Sequence, residues 1–369
     1  MTDKKKLIMA VDGNSLVHRS YHALESTGLR DAWGRPTWAV KGMLNQLCAA
    51  ADRVRPDAIV VGFDTPGSSV RKSEYPDYKA TRSEKSEDLI TQLDLSQKML
   101  AWAGFAVCAP AGLEADDVTA TAAKLAGEHG WEAVIVTSDR DAFAHISDHT
   151  RVLRIINGGV EASPLVTPDR LVEMYGIRPE QYLDFAAVRG DASDNLPGIK
   201  GIGEKTLVKL FTTFPTMEAV WDAMDTEEGV AQVQAAIGKG MAAKLVPDDA
   251  IGNWFRNINI MRAVTDLDLG IDLASETGHG MLPLAPEKLT EACEILSMKG
   301  AIPMMLDVLG GGYDRSSAPH SDPGPAQAPA AGEHLPPLEE PDYGAPAPEA
   351  VEVEATPDGL HPAAAAQLF

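Results

Sequence analysis

The stretch Leu7-Ile8-Met9-Ala10-Val11-Asp12 joins a wholly apolar run to an acidic residue. A short run that is apolar at every position is typical of a parallel strand whose two faces are both covered. Two later stretches repeat the pattern, since Ala58–Phe63 leads to Asp64 and Ala133–Val136 leads to Asp139. Because ligands of open α/β sheets bind at the carboxyl ends of the strands, these acidic residues are predicted to meet at one edge.

Helical patterns separate these strands, at about residues 40–54, 87–103 and 115–129, and Val152–Ile156 indicates a further strand. Strands that alternate with helices predict a doubly wound α/β fold with a mostly parallel central sheet.

The periodicity changes after about residue 168, which predicts three regions. Residues 1–168 form the α/β domain, and residues 169–310 form a helical subdomain with one extended stretch near Ile258–Leu269. Residues 311–369 are rich in Pro, Ala and acidic residues, a composition typical of a disordered tail.

The net charge of −22 in 369 residues argues against a nucleic-acid partner, which normally meets a basic surface. The charge is unevenly spread, however, because ten carboxylates and one arginine lie after residue 313. No apolar run is long enough to span a bilayer, so no membrane association is expected. Cys48, Cys108 and Cys293 are widely spaced and are interpreted as buried thiols in a reducing cytosol.

Glu114-Ala115-Asp116-Asp117 places three carboxylates together without a basic residue. Two unit charges 4 Å apart repel by about 1–4 kcal/mol, and bound divalent cations are a common way to offset this. A helix start is the alternative explanation, because acidic residues are favoured in a first turn. Asp139 and Asp141 are two residues apart, so both side chains point to one side of an extended chain.

Residues 71–88 combine basic and aromatic side chains, which suit a nucleic-acid strand. An ordinary solvated segment is the alternative, because acidic residues are interspersed. The basic and aromatic residues are Arg71, Lys72, Tyr75, Tyr78, Lys79, Arg82 and Lys85.

Asp191 and Asp194 precede a glycine-rich stretch with Gly198, Gly201 and Gly203, which leads to Lys205 and an apolar helix. Glycines allow close backbone approach, and the N–H groups of a helix start can bind phosphate. The pattern predicts a helix-hairpin-helix that grips a DNA backbone; a plain interhelical turn is the alternative.

These motifs, taken in order, resemble the 5′-nuclease superfamily, above all the 5′-3′ exonuclease domain of bacterial DNA polymerase I and its stand-alone relatives. The resemblance runs from about residue 7 to about residue 270. It is carried by Val11-Asp12-Gly13-Asn14-Ser15, Phe63-Asp64, Tyr78-Lys79-Ala80-Thr81-Arg82, Glu114-Ala115-Asp116-Asp117, Ser138-Asp139-Arg140-Asp141 and Gly190-Asp191-Ala192-Ser193-Asp194-Asn195.

The resemblance implies a free-standing, metal-dependent enzyme that cleaves DNA at 5′ ends and flaps in replication and repair. Two divalent cations, Mg²⁺ with Mn²⁺ as the alternative, would be held directly or through water by Asp12, Asp64, Glu114, Asp116, Asp139 and Asp141. Asp117, Asp191 and Asp194 would complete the second metal region.

The resemblance also assigns the basic residues. Lys79 and Arg82 would steer and polarise the scissile phosphate from an arch formed by about residues 71–88, and Arg19 would lie near that phosphate. DNA would contact Arg71, Lys72, Tyr78, Gly198, Gly201, Gly203 and Lys205, and the hairpin would bind potassium. The family usually has prolines after Arg82, whereas this chain has Ser83–Glu87, so a more mobile or more helical arch tip is expected.

The expected partners are DNA with 5′ ends or flaps and RNA-primed duplex. Gln367-Leu368-Phe369 at the end of the tail is a candidate for docking a sliding clamp. A cytoplasmic, nucleoid-associated monomer is expected. A ribonuclease of the related PIN type and a protein that binds DNA junctions without cutting them are the competing hypotheses.

Overall fold

The computed structural model describes residues 5–311 except 66 and 68. Within this part of the chain the largest sheet has six strands in the order β3-β2-β1-β4-β5-β6. The first five pair in parallel, and β6 is an antiparallel edge strand. This confirms the prediction of a mostly parallel sheet. The strands are β1 (Leu7–Asp12), β2 (Ala58–Gly62), β3 (Ala106–Cys108), β4 (Glu132–Thr137), β5 (Thr150–Arg154) and β6 (Leu165–Val166).

Helices cover both faces of this sheet. Successive residues of a strand point to opposite sides, so an apolar strand places apolar side chains on both faces. Leu7, Met9 and Val11 of β1 pack in one core with α1, α2 and α4, whereas Ile8 and Ala10 pack in another with α5. The helices of this part are α1 (Gly13–Leu24), α2 (Trp38–Val54), α3 (Val70–Glu74), α4 (Glu87–Trp102) and α5 (Ala115–Glu128).

The later part of the described chain is mainly helical, as predicted. It contains α6 (Pro168–Tyr175), α7 (Tyr182–Arg189), α8 (Glu204–Thr213), α9 (Met217–Met224), α10 (Glu227–Ile237), α11 (Lys239–Ala242), α12 (Asp248–Met261), α13 (Pro286–Ile295) and α14 (Ile302–Leu309). Two short hairpins join β7 (Gly190–Asp191) to β8 (Leu196–Pro197) and β9 (Ile271–Asp272) to β10 (Thr277–Gly278).

The extended stretch predicted near Ile258–Leu269 is wrong at its start, because α12 continues to Met261. Asn257 fixes this helix: its side-chain amide donates to the carbonyls of Ala187 and Pro197, which holds α12 against α7.

The last two helices return to the α/β domain, which differs from the predicted division at residue 168. Leu289 of α13 and Met305 of α14 are fully buried in the same core as α2 and α4. Cys48 and Cys293 are buried in this layer as predicted, whereas Cys108 on edge strand β3 is only partly buried.

Some predictions fall outside the described residues, namely the tail from residue 312 and its Gln367-Leu368-Phe369 end. Across the described ranges, every helix falls short of the length and apolarity that crossing a bilayer requires.

Candidate active site

Strand ends deliver the first two acidic side chains to one edge of the sheet. Asp12 closes β1 and caps α1, because its Oδ1 accepts from the Ser15 amide at 2.9 Å. Its Oδ2 accepts from the Thr137 hydroxyl at the end of β4, at 2.8 Å. Asp64 follows β2 and accepts from the Ala115 amide at 3.0 Å, which ties β2 to the start of α5. The predicted meeting of these strand ends is therefore present.

Asp117 does not belong to the open part of this cluster, contrary to the prediction that it serves the second metal region. Its fully buried carboxylate accepts two hydrogen bonds from Arg71, at 2.6 and 2.8 Å. It also accepts from the amides of Glu114 and Val264, at 3.0 and 2.8 Å. Four donors satisfy its two oxygens, so a metal ion would have to displace one of them.

Arg71 is equally unsuited to the DNA contact that was predicted for it. Only 12% of its side chain is exposed, and its guanidinium also donates to the carbonyls of Ile260 and Arg262. The ion pair with Asp117 therefore joins α3, α5 and the segment after α12 at the edge of the site.

Replacing Arg71 with Met is expected to lower the free energy of unfolding by about 3–5 kcal/mol, because it leaves the buried Asp117 charge uncompensated. Urea denaturation of the full chain measures this. Lys72→Met is the matched control, since Lys72 lies next to Arg71 on α3 and is exposed. Equal losses in the two variants would contradict a structural role for the Arg71–Asp117 pair.

Glu114 connects the basic arch to the acidic edge. Its Oε2 accepts from the Tyr78 hydroxyl and from Lys79 Nζ, each at 3.1 Å. Tyr78 is only 5% exposed and packs with Leu196 and Ile260. The prediction that Tyr78 contacts DNA therefore does not fit this arrangement, because its ring is already covered by protein.

Lys79 and Arg82 also connect the arch to the loop that carries Asp194. The Lys79 amide donates to the Asp194 carbonyl at 3.0 Å, and the Arg82 guanidinium donates to the Asp194 carboxylate. Although burial lowers the pKa of Lys79, the charges of Glu114 and Asp194 raise it above its ordinary value. Lys79 is therefore a cation at the pH of the cell.

The remaining predicted basic residues lie elsewhere. Arg19 is partly buried on α1 and donates to the Asn157 side chain at 2.8 Å. Lys72 is exposed on α3. The arch tip at Ser83–Ser86 forms no helix, and Ser86 caps α4, so the expectation of a more helical tip is wrong.

The other carboxylates form one electrostatic cluster that spans both predicted metal regions. Burial and the charges of Asp12 and Asp139 raise the pKa of Asp116 well above its usual range. Burial and Asp139 raise the pKa of Asp141 to about 8, and Asp191 and Asp194 add to this. Burial, together with Asp191 and Asp139, also raises the pKa of Asp194, against the opposing effects of Lys79 and Arg82.

The central carboxylates of this cluster line a cleft. Its walls combine carboxylates with Lys79, and the acidic lining residues are Glu114, Asp116, Asp139, Asp141 and Asp194. His145, which sequence reasoning did not single out, also lines the cleft. Thr137 was missed as well; its position directly before Ser138-Asp139 is the sequence signal that could have found it.

The donor set fits hard divalent cations, although the side chains are not gathered around one point. Among residues 5–311, with 66 and 68 left aside, no three acidic, histidine or cysteine groups are arranged to hold a single metal ion. The cleft nevertheless offers mostly carboxylate oxygens, and Asp141 Oδ1 is buried without a hydrogen-bond donor in the described chain. Carboxylates that repel one another in this way are suited to Mg²⁺ or Mn²⁺.

The raised pKa values predict how the metal-free protein responds to pH. Burial is the main cause of the raised pKa at both Asp12 and Asp141, whose pKa values are about 7 and about 8. Between roughly pH 4 and pH 8 the folded state therefore binds more protons than the unfolded chain. The free energy of unfolding should fall as the pH rises through this window.

Calorimetry in chelator measures this fall, and added Mg²⁺ should oppose it because cations favour ionised carboxylates. Asp141→Asn removes one titrating group and should give a flatter profile. A metal-free stability that rises with pH through the window would contradict the assignment.

The glycine-rich hairpin lies between α7 and α8, as predicted. A side chain at Gly198 would come within 2.3 Å of the Val188 and Arg189 carbonyls, so the close approach requires glycine. Gly201 has a φ of +79°, and its carbonyl accepts from Lys244 Nζ at 3.2 Å. Gly203 caps α8, and Lys205 is exposed in the first turn of that helix.

Carboxylates at a sheet edge, opposed by lysine and arginine, are a combination suited to chemistry on phosphate esters. Two family models match the chain: the 5′-3′ exonuclease N-terminal resolvase-like domain over residues 7–176, and the 5′-3′ exonuclease C-terminal SAM fold over residues 177–277. The chain belongs to the 5′-3′ exonuclease family, which confirms the resemblance.

Curated relatives share the same region. DNA polymerase I of Mycobacterium bovis is 39% identical over 270 residues, which are 73% of this chain and 28% of that protein. The thermostable DNA polymerase I of Thermus aquaticus is 37% identical over 272 residues, which are 74% of this chain and 30% of that protein. The chain therefore spans less than a third of the length of these relatives.

Solved structures share the fold. The T5 5′-exonuclease with bound zinc aligns with a TM-score of 0.53 at 18% identity, covering 83% of this chain and 99% of that chain. The catalytic core of Rad2 in complex with DNA substrate aligns with a TM-score of 0.52 at 16% identity, covering 83% and 92%. At these identities the likeness concerns the architecture.

Proposed function

We propose that this chain hydrolyses DNA phosphodiesters at 5′ ends and 5′ flaps, with divalent cations held in the acidic cleft. One observation carries this proposal. The ammonium group of Lys79 lies 3.1 Å from Glu114, at the rim of the cleft that also contains Asp116 and Asp139. A cation that can bind phosphate and oxygens that can bind metal ions thus border the same space.

Two sets of carboxylates would hold the cations. Asp12, Asp64, Glu114, Asp116, Asp139 and Asp141 would hold them directly or through water, and Asp191 and Asp194 would complete the second metal region. Bound divalent cations lower the pKa of a water molecule and neutralise charge on the phosphate. The T5 5′-exonuclease was solved with zinc and a T5 flap endonuclease with DNA and metal ions, which supports a metal-dependent reaction here.

The protein's own cations would orient the substrate. The acidic floor repels DNA, so Lys79 and Arg82 supply positive charge on the side of the arch, and Arg19 supplies it from α1. Arg82 would have to exchange its bond to Asp194 for a phosphate oxygen when DNA enters. Lys72 lies on the exposed side of α3, where it can contact the DNA backbone.

The hairpin would hold the duplex away from the cleft. Gly203 caps α8, and the amides of Thr206 and Leu207 already donate to its carbonyl. The first amides of α8 have no partner within the helix, so they and Lys205 can bind a backbone phosphate. The turn from Gly198 to Gly201 would bind potassium through its carbonyl groups once the Lys244 ammonium group leaves the Gly201 carbonyl.

The proposal extends to the substrates, location and partners of the chain in the cell. A flap nuclease acts in primer removal and repair, so DNA flaps and RNA-primed duplexes are the proposed substrates. A cytoplasmic, nucleoid-associated monomer and a clamp contact through Gln367-Leu368-Phe369 complete the proposal.

The direct test incubates the purified chain with 5′-flap, nicked and RNA-primed duplexes in Mg²⁺, Mn²⁺ or chelator. The expected result is cleavage near the 5′ end with either metal and none in chelator. Cleavage confined to single-stranded RNA would indicate a PIN-type ribonuclease instead. Tight flap binding without cleavage in any metal would indicate a junction-binding protein.

A further inference from the structure

Arg189 places a buried positive charge behind the second group of carboxylates. It is the last residue of α7 and directly precedes Gly190 and Asp191. Only 13% of its side chain is exposed, and its guanidinium lies 5.9 Å from the centre of the Phe185 ring. An arginine that is buried to this extent requires compensating negative charge.

The guanidinium is held by charge more than by hydrogen bonds. Its Nη2 lies 3.5 Å from Oδ1 of Asp141, and its Nε donates to the Gly190 carbonyl at 3.3 Å. Both terminal nitrogens and Asp141 Oδ1 are buried without a well-formed hydrogen bond in the described part of the chain. The loose pairing therefore leaves Asp141 Oδ1 without a hydrogen-bond donor among the described residues.

The charges around Arg189 belong to the second region. Asp141 and Asp191 are the acidic groups that act on it, from the segment after β4 and from β7, and the neutral Tyr182 side chain of α7 also interacts with it. Asp141 in turn is affected by Asp139, Arg189, Asp191 and Asp194. Arg189 therefore lies beside Asp141 and two residues before Asp191, which are two of the carboxylates predicted to hold metal ions.

We infer that Arg189 is a built-in counter-cation of the second metal region, a buried positive charge that stays beside Asp141 whether or not metal is bound. Its charge also weakens the binding of a divalent ion there. The inference rests on the proposed metal site. A fixed positive charge beside the site repels a divalent ion, and the expected loss of about tenfold in affinity corresponds to about 1.4 kcal/mol.

The experiment titrates metal-free full-length chain with Mn²⁺ in a calorimeter and compares wild type with Arg189→Gln and Arg189→Met. Both variants should bind the weaker Mn²⁺ ion about tenfold more tightly, and their melting temperatures should rise more with Mn²⁺ than that of wild type. Arg189→Lys keeps the charge and should resemble wild type. Arg178→Gln is the matched control, because Arg178 is 58% exposed in a surface ion pair.

Each outcome decides the inference. Unchanged or weaker Mn²⁺ binding in both neutral variants would overturn it, as would variants that stay unfolded with and without Mn²⁺. Variants that fold only when Mn²⁺ is present would support it, since the metal then replaces the missing charge. A wild-type chain that binds no Mn²⁺ would refute the proposed metal site itself, which is a different result.

Discussion

Replacing Asp116 with Asn should reduce the cleavage rate by more than about 100-fold while DNA binding is retained. Loss of a group that only supports a metal ligand already costs about 10–100-fold, so loss of a ligand should cost more. Asp116 is at the centre of the cluster, because Asp12 and Asp139 both raise its pKa. An amide of nearly the same shape removes the charge that draws cations in, without opening a cavity.

Single-turnover cleavage in Mg²⁺ and fluorescence anisotropy of a labelled flap measure the two effects separately. The variant should also be more stable than wild type in chelator, since a repelling charge has been removed, and this separates lost chemistry from lost folding. Asp169→Asn is the matched control, because Asp169 is an exposed aspartate in the first turn of α6. Asp139→Asn should behave like Asp116→Asn. Equal losses of cleavage and DNA binding would refute the assignment.

The sheet edge could be predicted because its signal is local. A fully apolar run followed by an acidic residue indicates both a buried parallel strand and the polar position at its carboxyl end. The two edge strands β3 and β6 escaped prediction, since three and two residues are too few for a periodic pattern. Their place is fixed by pairing with β2 and β5.

The roles of individual residues in the site could be predicted only in part. Asp116 and Asp117 are neighbours of the same type, yet one faces the cleft and the other accepts from Arg71 and Val264. These partners lie 46 and 147 residues away in the chain, so no local pattern indicates which carboxylate they will neutralise. Tyr78 illustrates the same limit. Its ring is buried by Leu196 and Ile260, which are distant in the sequence, so no local pattern indicates that the ring is buried.

The return of α13 and α14 to the α/β domain has a similar cause. Their sequences indicate helices, but only tertiary contacts decide which core they join. Leu284 donates its amide to the Leu309 carbonyl at 2.8 Å, and Met281 bridges to Ala58 at the start of β2. The family's second model ends at residue 277, just before this segment.

Lys79→Ala should lower the single-turnover cleavage rate by about 10²–10³, the cost of removing one preorganised donor to a transition-state charge. Lys79 has a φ of +55°, and its ammonium group lies 4.8 Å from the centre of the Tyr78 ring while it pairs with Glu114. These contacts fix a cation at the rim of the cleft before substrate arrives. Preorganisation of this kind favours the transition state over the bound substrate.

The measurement is a quench-flow time course at saturating flap DNA, with Lys72→Ala as the control from the same arch. Lys72 is exposed, so the Lys72→Ala variant should bind DNA slightly more weakly than wild type. This binding defect should become smaller as the salt concentration rises, and the cleavage rate at saturating DNA should not change. The Lys79→Ala defect should persist when enzyme and metal are raised, because the missing group acts in the chemical step. A rate that recovers fully at high enzyme concentration would place Lys79 in DNA binding alone.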